Sequence, residues 1–248
     1  MFWLVNILEK VNILDIHFSK LDMQSAAEHA CALAHGNDKG YVVTPNAEIV
    51  YACLKDKKLA ELINGAAMTV ADGAGVVLAS KILKGGQLSR VPGVELGEQL
   101  CARLAKTGGG LFLYGAKPGV AQTAAEKLCE KYPGLNICGV CDGYVKDTDL
   151  ILQQINQSGA GVVFVCLGSP RQEFFMAQNL SKTNAKLMVG LGGSLDIYSG
   201  TVKRAPKIFR RLGLEWFYRL ITQPSRIGRM MSLPKFLIKV VWVRLFGL

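Results

Sequence analysis

The sequence predicts an α/β fold: a Rossmann-like, mostly parallel sheet with helices on both faces, followed by a basic amphipathic helical appendage. Three observations carry this. Short apolar runs alternate with longer helix-patterned segments along the chain, which is the signature of successive βαβ units. Several of those runs stop at a glycine or polar residue and turn straight into a helix. Charge is also segregated. From Lys203 onward there are eleven Lys/Arg and one acid, Glu215, so the tail carries the whole +10 excess and the first 202 residues are balanced. The predicted division is an α/β body over 1–205 and an appendage over 206–248.

The elements follow in order. Val11–Phe18 reads as a strand, and Asp22 caps a helix through His35 that Gly36 stops. Tyr41–Val43 is the next strand, and Thr44-Pro45 suits an N-cap followed by a first helical position. That helix runs to about Lys55, and a second covers Lys57–Asn64. Strand Met68–Ala71 ends at Asp72, where Gly73 and Gly75 allow a tight turn into helix Val76–Leu83. A loop from Gly85 to Gly93 carries Arg90 and leads to helix Val94–Lys106. Strand Leu111–Tyr114 ends at Gly115, with Pro118 opening a helix to Tyr132. Ile137–Val140 precedes Asp142-Gly143-Tyr144 and a helix over Thr148–Gln157. Val162–Leu167, the most apolar strand, leads into Gly168-Ser169-Pro170-Arg171-Gln172-Glu173 and a further helix. Leu187–Leu191 ends at Gly192-Gly193-Ser194, with Asp196 close behind.

Composition narrows the class. Half of the 248 residues are hydrophobic, which supports a sizeable core and excludes disorder. Seven cysteines, mostly within apolar segments, fit buried thiols of a reduced, cytoplasmic protein. Cys138-Gly-Val-Cys141 is a lone pair without a second pair or nearby histidine, and reads as structural. The N-terminal MFWLVNILEK lacks the basic start and the apolar length of a signal peptide. No stretch reaches the roughly 20 uncharged apolar residues that span a bilayer.

In a parallel α/β fold the carboxyl ends of neighbouring strands share one crevice. Thr44 and Asn46 lie at one strand exit, Asp72 at the next, and Arg90 in the following loop, so these four are expected to face one volume. Glycine turns at Gly73/Gly75, Gly115, Gly168 and Gly192/Gly193 let a ligand approach backbone N–H groups, which favours a nucleotide or a sugar phosphate. Each glycine taken alone merely makes a βα turn. Neither a GxGxxG fingerprint nor a Walker A lysine is present. Asp72 has two readings, a general base or the cap of the following helix. Asp147-Thr148-Asp149 has the D-x-D pattern of a metal site but opens a helix, where acids meet the positive end of the macrodipole, and capping is preferred.

The segments TPNAEIV (44–50), ADGAG (71–75), RVPG (90–93), GSPRQE (168–173), GGSLD (192–196), VKRAP (202–206) and LGLEWFYRL…PSRIGRM (212–230) resemble the WecG/TagA/CpsF glycosyltransferases in order and spacing, over nearly the whole chain. The resemblance implies an inverting enzyme that moves a sugar from a UDP-activated donor to polyprenyl-diphosphate-linked GlcNAc at the cytoplasmic membrane face. The TagA branch implies UDP-N-acetylmannosamine and a β-1,4 linkage in teichoic acid synthesis, whereas the WecG branch implies the corresponding uronic acid. It makes Asp72 the base, with Thr44 and Asn46 positioning a sugar and Arg90 meeting the acceptor diphosphate or a sugar. Gln172 is expected to reach the donor, with Tyr144 and Asp196 as base and ribose contacts beside the glycine turns. Arg219, Arg226 and Arg229 match the family's C-terminal arginines and would take up the charge of departing UDP, with no metal and no cofactor. The family also forms oligomers, so a homo-oligomer is implied, with an interface that competes with tail docking.

The tail itself has two readings. Trp216, Phe217, Leu220 and Ile221 lie at helical spacing, and bulky aliphatics from Met230 to Val241 interleave with Lys235 and Lys239. This is the composition of a segment lying on an anionic membrane surface. The other reading is a helix packed on the body. Two functional alternatives stand beside the transferase: a nucleotide-sugar oxidoreductase, which lacks its glycine fingerprint, and a nucleic-acid module, whose tail would be less apolar.

Overall fold

The computed structural model describes residues 8–222 and 231–247. Six parallel strands form the central sheet: β3 (Gly40–Val43), β4 (Met68–Thr69), β5 (Gly110–Gly115), β6 (Asn136–Cys141), β7 (Val162–Cys166) and β8 (Leu187–Gly190). Their spatial order is β4-β3-β8-β7-β5-β6. Along β7 the side chains alternate between two cores. Val163 and Val165 join one, and Val162, Phe164 and Cys166 join the other. A strand covered on both faces has to be apolar at every position, which is why this segment is the most hydrophobic run in the chain.

Helices α1 (Met23–His35), α5 (Gly93–Thr107), α6 (Val120–Lys131) and α9 (Ser194–Tyr198) supply the core on one face of the sheet. The other face carries α2 (Ala47–Cys53), α3 (Lys57–Asn64), α4 (Ala74–Leu83), α7 (Thr148–Ser158) and α8 (Arg171–Asn179). The predicted α/β architecture is therefore present, with helices on both sides of a parallel sheet. Most predicted boundaries agree within two or three residues.

One predicted element differs. Val11–Phe18 is a hairpin, β1 (Lys10–Ile13) paired antiparallel with β2 (Ile16–Ser19), and not a single strand. Leu14 and Asp15 turn the chain with φ of 50° and 65°, the left-handed pair that a two-residue hairpin turn requires. Asn12 Oδ1 accepts the Asp15 N–H at 2.8 Å. Asn64 then clamps the tip, donating to the Asp15 carbonyl at 2.7 Å and accepting the His17 N–H at 2.9 Å.

The tail forms three helices among the described residues: α10 (Lys207–Arg211), α11 (Glu215–Thr222) and α12 (Ser232–Phe246). Helix α12 packs on α2 and α4, with Phe236 and Val240 wholly buried in the same core as Val50 and Val76. A side chain at Gly75 would meet Leu233 at 2.7 Å and Ala47 at 3.1 Å, so glycine allows the close approach of α4 to α12. The opposite side of α12 leaves Ile238, Val241, Trp242, Leu245 and Phe246 exposed. The reading of a helix packed on the body thus holds for one face of α12, while the other face is exposed. At about 1.5 Å per residue α12 is roughly 22 Å long, short of a bilayer's roughly 30 Å core. No helix among the described residues is long and apolar enough to cross a membrane.

Candidate active site

A pocket of about 280 Å³ opens at the carboxyl ends of β4, β3, β8 and β7, four strands that are consecutive in the sheet. Each contributes through the turn that follows it. Thr44 and Asn46 come from β3, Asp72 and Gly73 from β4, Ser169 and Gln172 from β7, and Gly192, Gly193 and Ser194 from β8. Arg90, Pro92, Arg204, Gly213, Glu215, Trp216, Ser232 and Leu233 also line it, so the tail supplies one wall.

Local bonds fix these side chains. Asn46 caps α2, its Oδ1 accepting the Ile49 N–H at 3.0 Å. The predicted Thr44 cap is therefore corrected: Thr44 is buried and donates to the Gly190 carbonyl at 3.0 Å, tying the ends of β3 and β8 together. Pro45 lies before the cap residue, and its carbonyl accepts the Asp72 N–H at 3.2 Å. Asp72 Oδ2 accepts the Gly93 N–H at 3.2 Å, at the start of α5. Gly93 is closely packed there: a Cβ would press on Thr44 Oγ1 at 3.0 Å and touch Asp72 Oδ2 at 3.6 Å. The residue in the N-cap position of α4 is Gly73, one beyond Asp72.

Gln172 lines the pocket but has its amide engaged inward. Its Oε1 accepts the Gly192 N–H at 2.9 Å, and its Nε2 donates to Glu173 Oε1 at 2.9 Å. Gln172 therefore pins the β8 turn. Glu173 is 1% exposed, and burial pushes its carboxyl above the usual glutamate range, opposed by bonds from Gln172, its own N–H and Ser169. Glu173, which orients the expected donor contact Gln172, was legible only as its neighbour in GSPRQE.

Arg90 is committed to the tail. It donates to the Arg210 carbonyl at 2.7 Å and pairs with Glu215 at 2.8 Å. Glu95 is shared by Arg204 at 2.5 Å and Arg210 at 3.4 Å. Four residues of this network, Glu95, Arg204, Arg210 and Glu215, carried no role in the sequence reading. Their signal was present for Arg204 and Glu215, which lie inside VKRAP and LGLEWFYRL.

Among the described residues, Gly115, Gly168, Tyr144 and Asp196 fall outside the pocket lining. Gly115 ends β5, and a side chain there would collide with the Cys166 backbone, so its glycine serves strand packing. Gly168 accepts the Gln172 N–H through its carbonyl and starts α8. Tyr144 is 64% exposed beyond β6, its N–H held by Asp142 at 2.8 Å, so it is not part of the core. Asp196 lies in α9, its carbonyl accepting the Val202 N–H. Arg219 lies on α11, while Arg226 and Arg229 lie outside the described residues. Asp147 caps α7, accepting the Asp149 and Leu150 N–H groups at 3.0 and 3.1 Å. Burial pushes the thiols of Cys53, Cys101 and Cys166 up to about 12, which makes them inert packing groups.

Fold and cavity together define an α/β enzyme with a carboxylate at the strand rim and a helical wall over a polar ligand site. Over residues 11–247 the sequence matches the description "Glycosyl transferase WecG/TagA/CpsF family", and the chain belongs to that family of glycosyltransferases. It is similar to the N-acetylglucosaminyldiphosphoundecaprenol N-acetyl-beta-D-mannosaminyltransferase of Bacillus subtilis (strain 168), at 39% identity over 200 residues, 81% of this chain and 78% of the relative. The protein of the same name from Bacillus spizizenii (strain W23) is 37% identical over 232 residues, 93% of this chain and 90% of the relative.

Proposed function

We propose that this protein transfers N-acetylmannosamine from UDP-N-acetylmannosamine to the 4-hydroxyl of polyprenyl-diphosphate-linked GlcNAc, with inversion. The observation that carries the reading is Asp72, held by the Gly93 N–H, in a pocket that also contains Thr44, Asn46 and the Gly192-Gly193 turn. Asp72 takes the proton of the acceptor hydroxyl as that oxygen bonds to the anomeric carbon and the bond to UDP breaks. Cations from the tail, Arg219, Arg226 and Arg229 among them, meet the charge that develops on UDP. The names of the relatives support this donor sugar and this lipid-linked acceptor.

The same reading places the protein peripherally on the inner membrane face. Ile208, Leu212, Trp216, Phe217 and Ile221 are exposed on α10, α11 and the turn between them, and α12 adds a second bare apolar face beside Lys235, Lys239 and Arg244. Apolar surface bordered by cations suits an anionic lipid interface. The deciding experiment is transfer of labelled sugar from UDP-N-acetylmannosamine to a short-chain prenyl-diphosphate-GlcNAc. Asp72→Asn should lower kcat about 10²- to 10⁴-fold while UDP still binds. An unaltered rate would remove Asp72 as the base. Turnover only with the uronic acid donor would replace the donor assignment.

A further inference from the structure

A second cavity, of about 380 Å³, adjoins the first and is lined by Arg90, Pro92, Glu95, Lys207 and Arg210. Arg90 and Pro92 belong to both linings, so the two cavities adjoin at these residues. Arg90, Arg204, Lys207 and Arg210 stand against two carboxylates, Glu95 and Glu215, and Lys207 makes no ion pair among the described residues. The Nε atoms of Arg90, Arg204 and Arg210 are buried without a hydrogen-bond partner. An exposed lysine with no ion pair among the described residues, beside Arg90 and Arg210 in a cavity of net positive charge, is what a phosphate-bearing ligand would satisfy.

We infer that this second cavity holds the diphosphate of the lipid-linked acceptor, with Lys207 and Arg210 as its contacts alongside Arg90. The inference rests on the transfer reaction proposed above and adds the acceptor's path. On helix α10, Lys207 and Arg210 line the cavity while Ile208 and Leu212, four residues apart, are 63% and 66% exposed. One stripe of the helix is thus cationic and cavity-facing and the neighbouring stripe is bare and apolar. A ligand with its sugar at Asp72, its diphosphate beyond Arg90 and its prenyl chain on Ile208 and Leu212 meets matching chemistry at each stage. The excess positive charge suits a doubly anionic diphosphate diester, and the donor's diphosphate is left to the other end of the first pocket.

Lys207→Gln and Arg210→Gln test this with a water-soluble short-chain prenyl-diphosphate-GlcNAc, without membranes, so that lipid headgroups play no part. Each variant should raise the acceptor KM about tenfold, the effect of one lost charge-assisted bond, with the UDP-N-acetylmannosamine KM within about twofold of wild type. Lys203→Gln, an exposed cation outside the lining, should change neither. A raised donor KM with the acceptor KM unmoved would assign the cavity to the UDP diphosphate and overturn the inference, as would no change in either constant. Titration calorimetry with the acceptor alone separates the two proposals. An inactive wild type overturns the transfer reaction, and the site then stands only if Lys207→Gln weakens acceptor binding.

Discussion

Replacing Phe236 by alanine tests whether the last helix closes the site as a unit. Phe236 is 0% exposed and, with Val240, is the part of α12 that sits in the core against α2 and α4. Removing a buried phenyl ring costs about 3–5 kcal/mol, from lost transfer energy plus the cavity left behind. If the penalty falls on docking of α12 alone, even the lower figure shifts the docked-to-undocked ratio by more than about a hundredfold. Leu233 and Ser232 would then leave the pocket wall. Hydrogen–deuterium exchange of the 232–246 amides, read together with transfer rate, checks this. The expected result is lost protection over α12, retained protection in β7 and β8, and a matching fall in activity. Trp242→Ala, 49% exposed on the same helix, should leave exchange as in wild type. The reasoning is refuted if α12 stays protected in Phe236→Ala, if the whole body loses protection with it, or if released α12 leaves transfer at the wild-type rate.

Three further outcomes are expected. Gly75→Val places new atoms where Leu233 and Ala47 already stand within 2.7 and 3.1 Å of a Cβ; it should cost about 1–3 kcal/mol and show the same α12 exchange phenotype, and normal protection would count against the close seam. Burial raises the pKa of Glu173, so the native state keeps a proton that the unfolded chain has already released, and native stability falls as pH rises through that window. Glu173→Gln lacks this term, so its stability relative to wild type should grow with pH by at most about 1.4 kcal/mol per unit and then level off; a gap constant from about pH 4 to 8 in denaturant titrations would contradict the burial argument. Cosedimentation with vesicles containing anionic lipid should fall with added salt and fall further for Trp242→Ala; binding indifferent to both would leave the bare faces of α10–α12 without a lipid role.

Much of the sheet was legible because its strands are buried on both faces and read as unbroken apolar runs, as β7 does at Val162–Cys166. The hairpin was not, since its turn uses Leu14 and Asp15 where glycine or asparagine would normally mark left-handed backbone. A clue was there: the buried positions Val11 and Ile13 resume at Ile16 and Phe18, one residue out of step. In the site, Thr44, Asn46, Asp72 and Arg90 are brought to one pocket as strand-exit logic required. Gly115 and Tyr144 fall outside its lining because β5 and β6 occupy the far end of the sheet, and strand order is set by long-range packing that no local pattern encodes. Glu95 was opaque for a similar reason, since its arginine partners are distant in sequence, and for Glu215 the segment LGLEWFYRL was legible but its pairing with Arg90 was not.

Leu233 follows every strand of the sheet in chain order, yet it lines the same pocket as Thr44. During synthesis the strand rim therefore exists before its cover does. A chain stalled or cleaved ahead of residue 232 would present Asp72 in an open trough with water in place of a wall. Such a fragment keeps every strand of the sheet, so under the transfer reaction proposed above the onset of chemistry waits on the synthesis of α12.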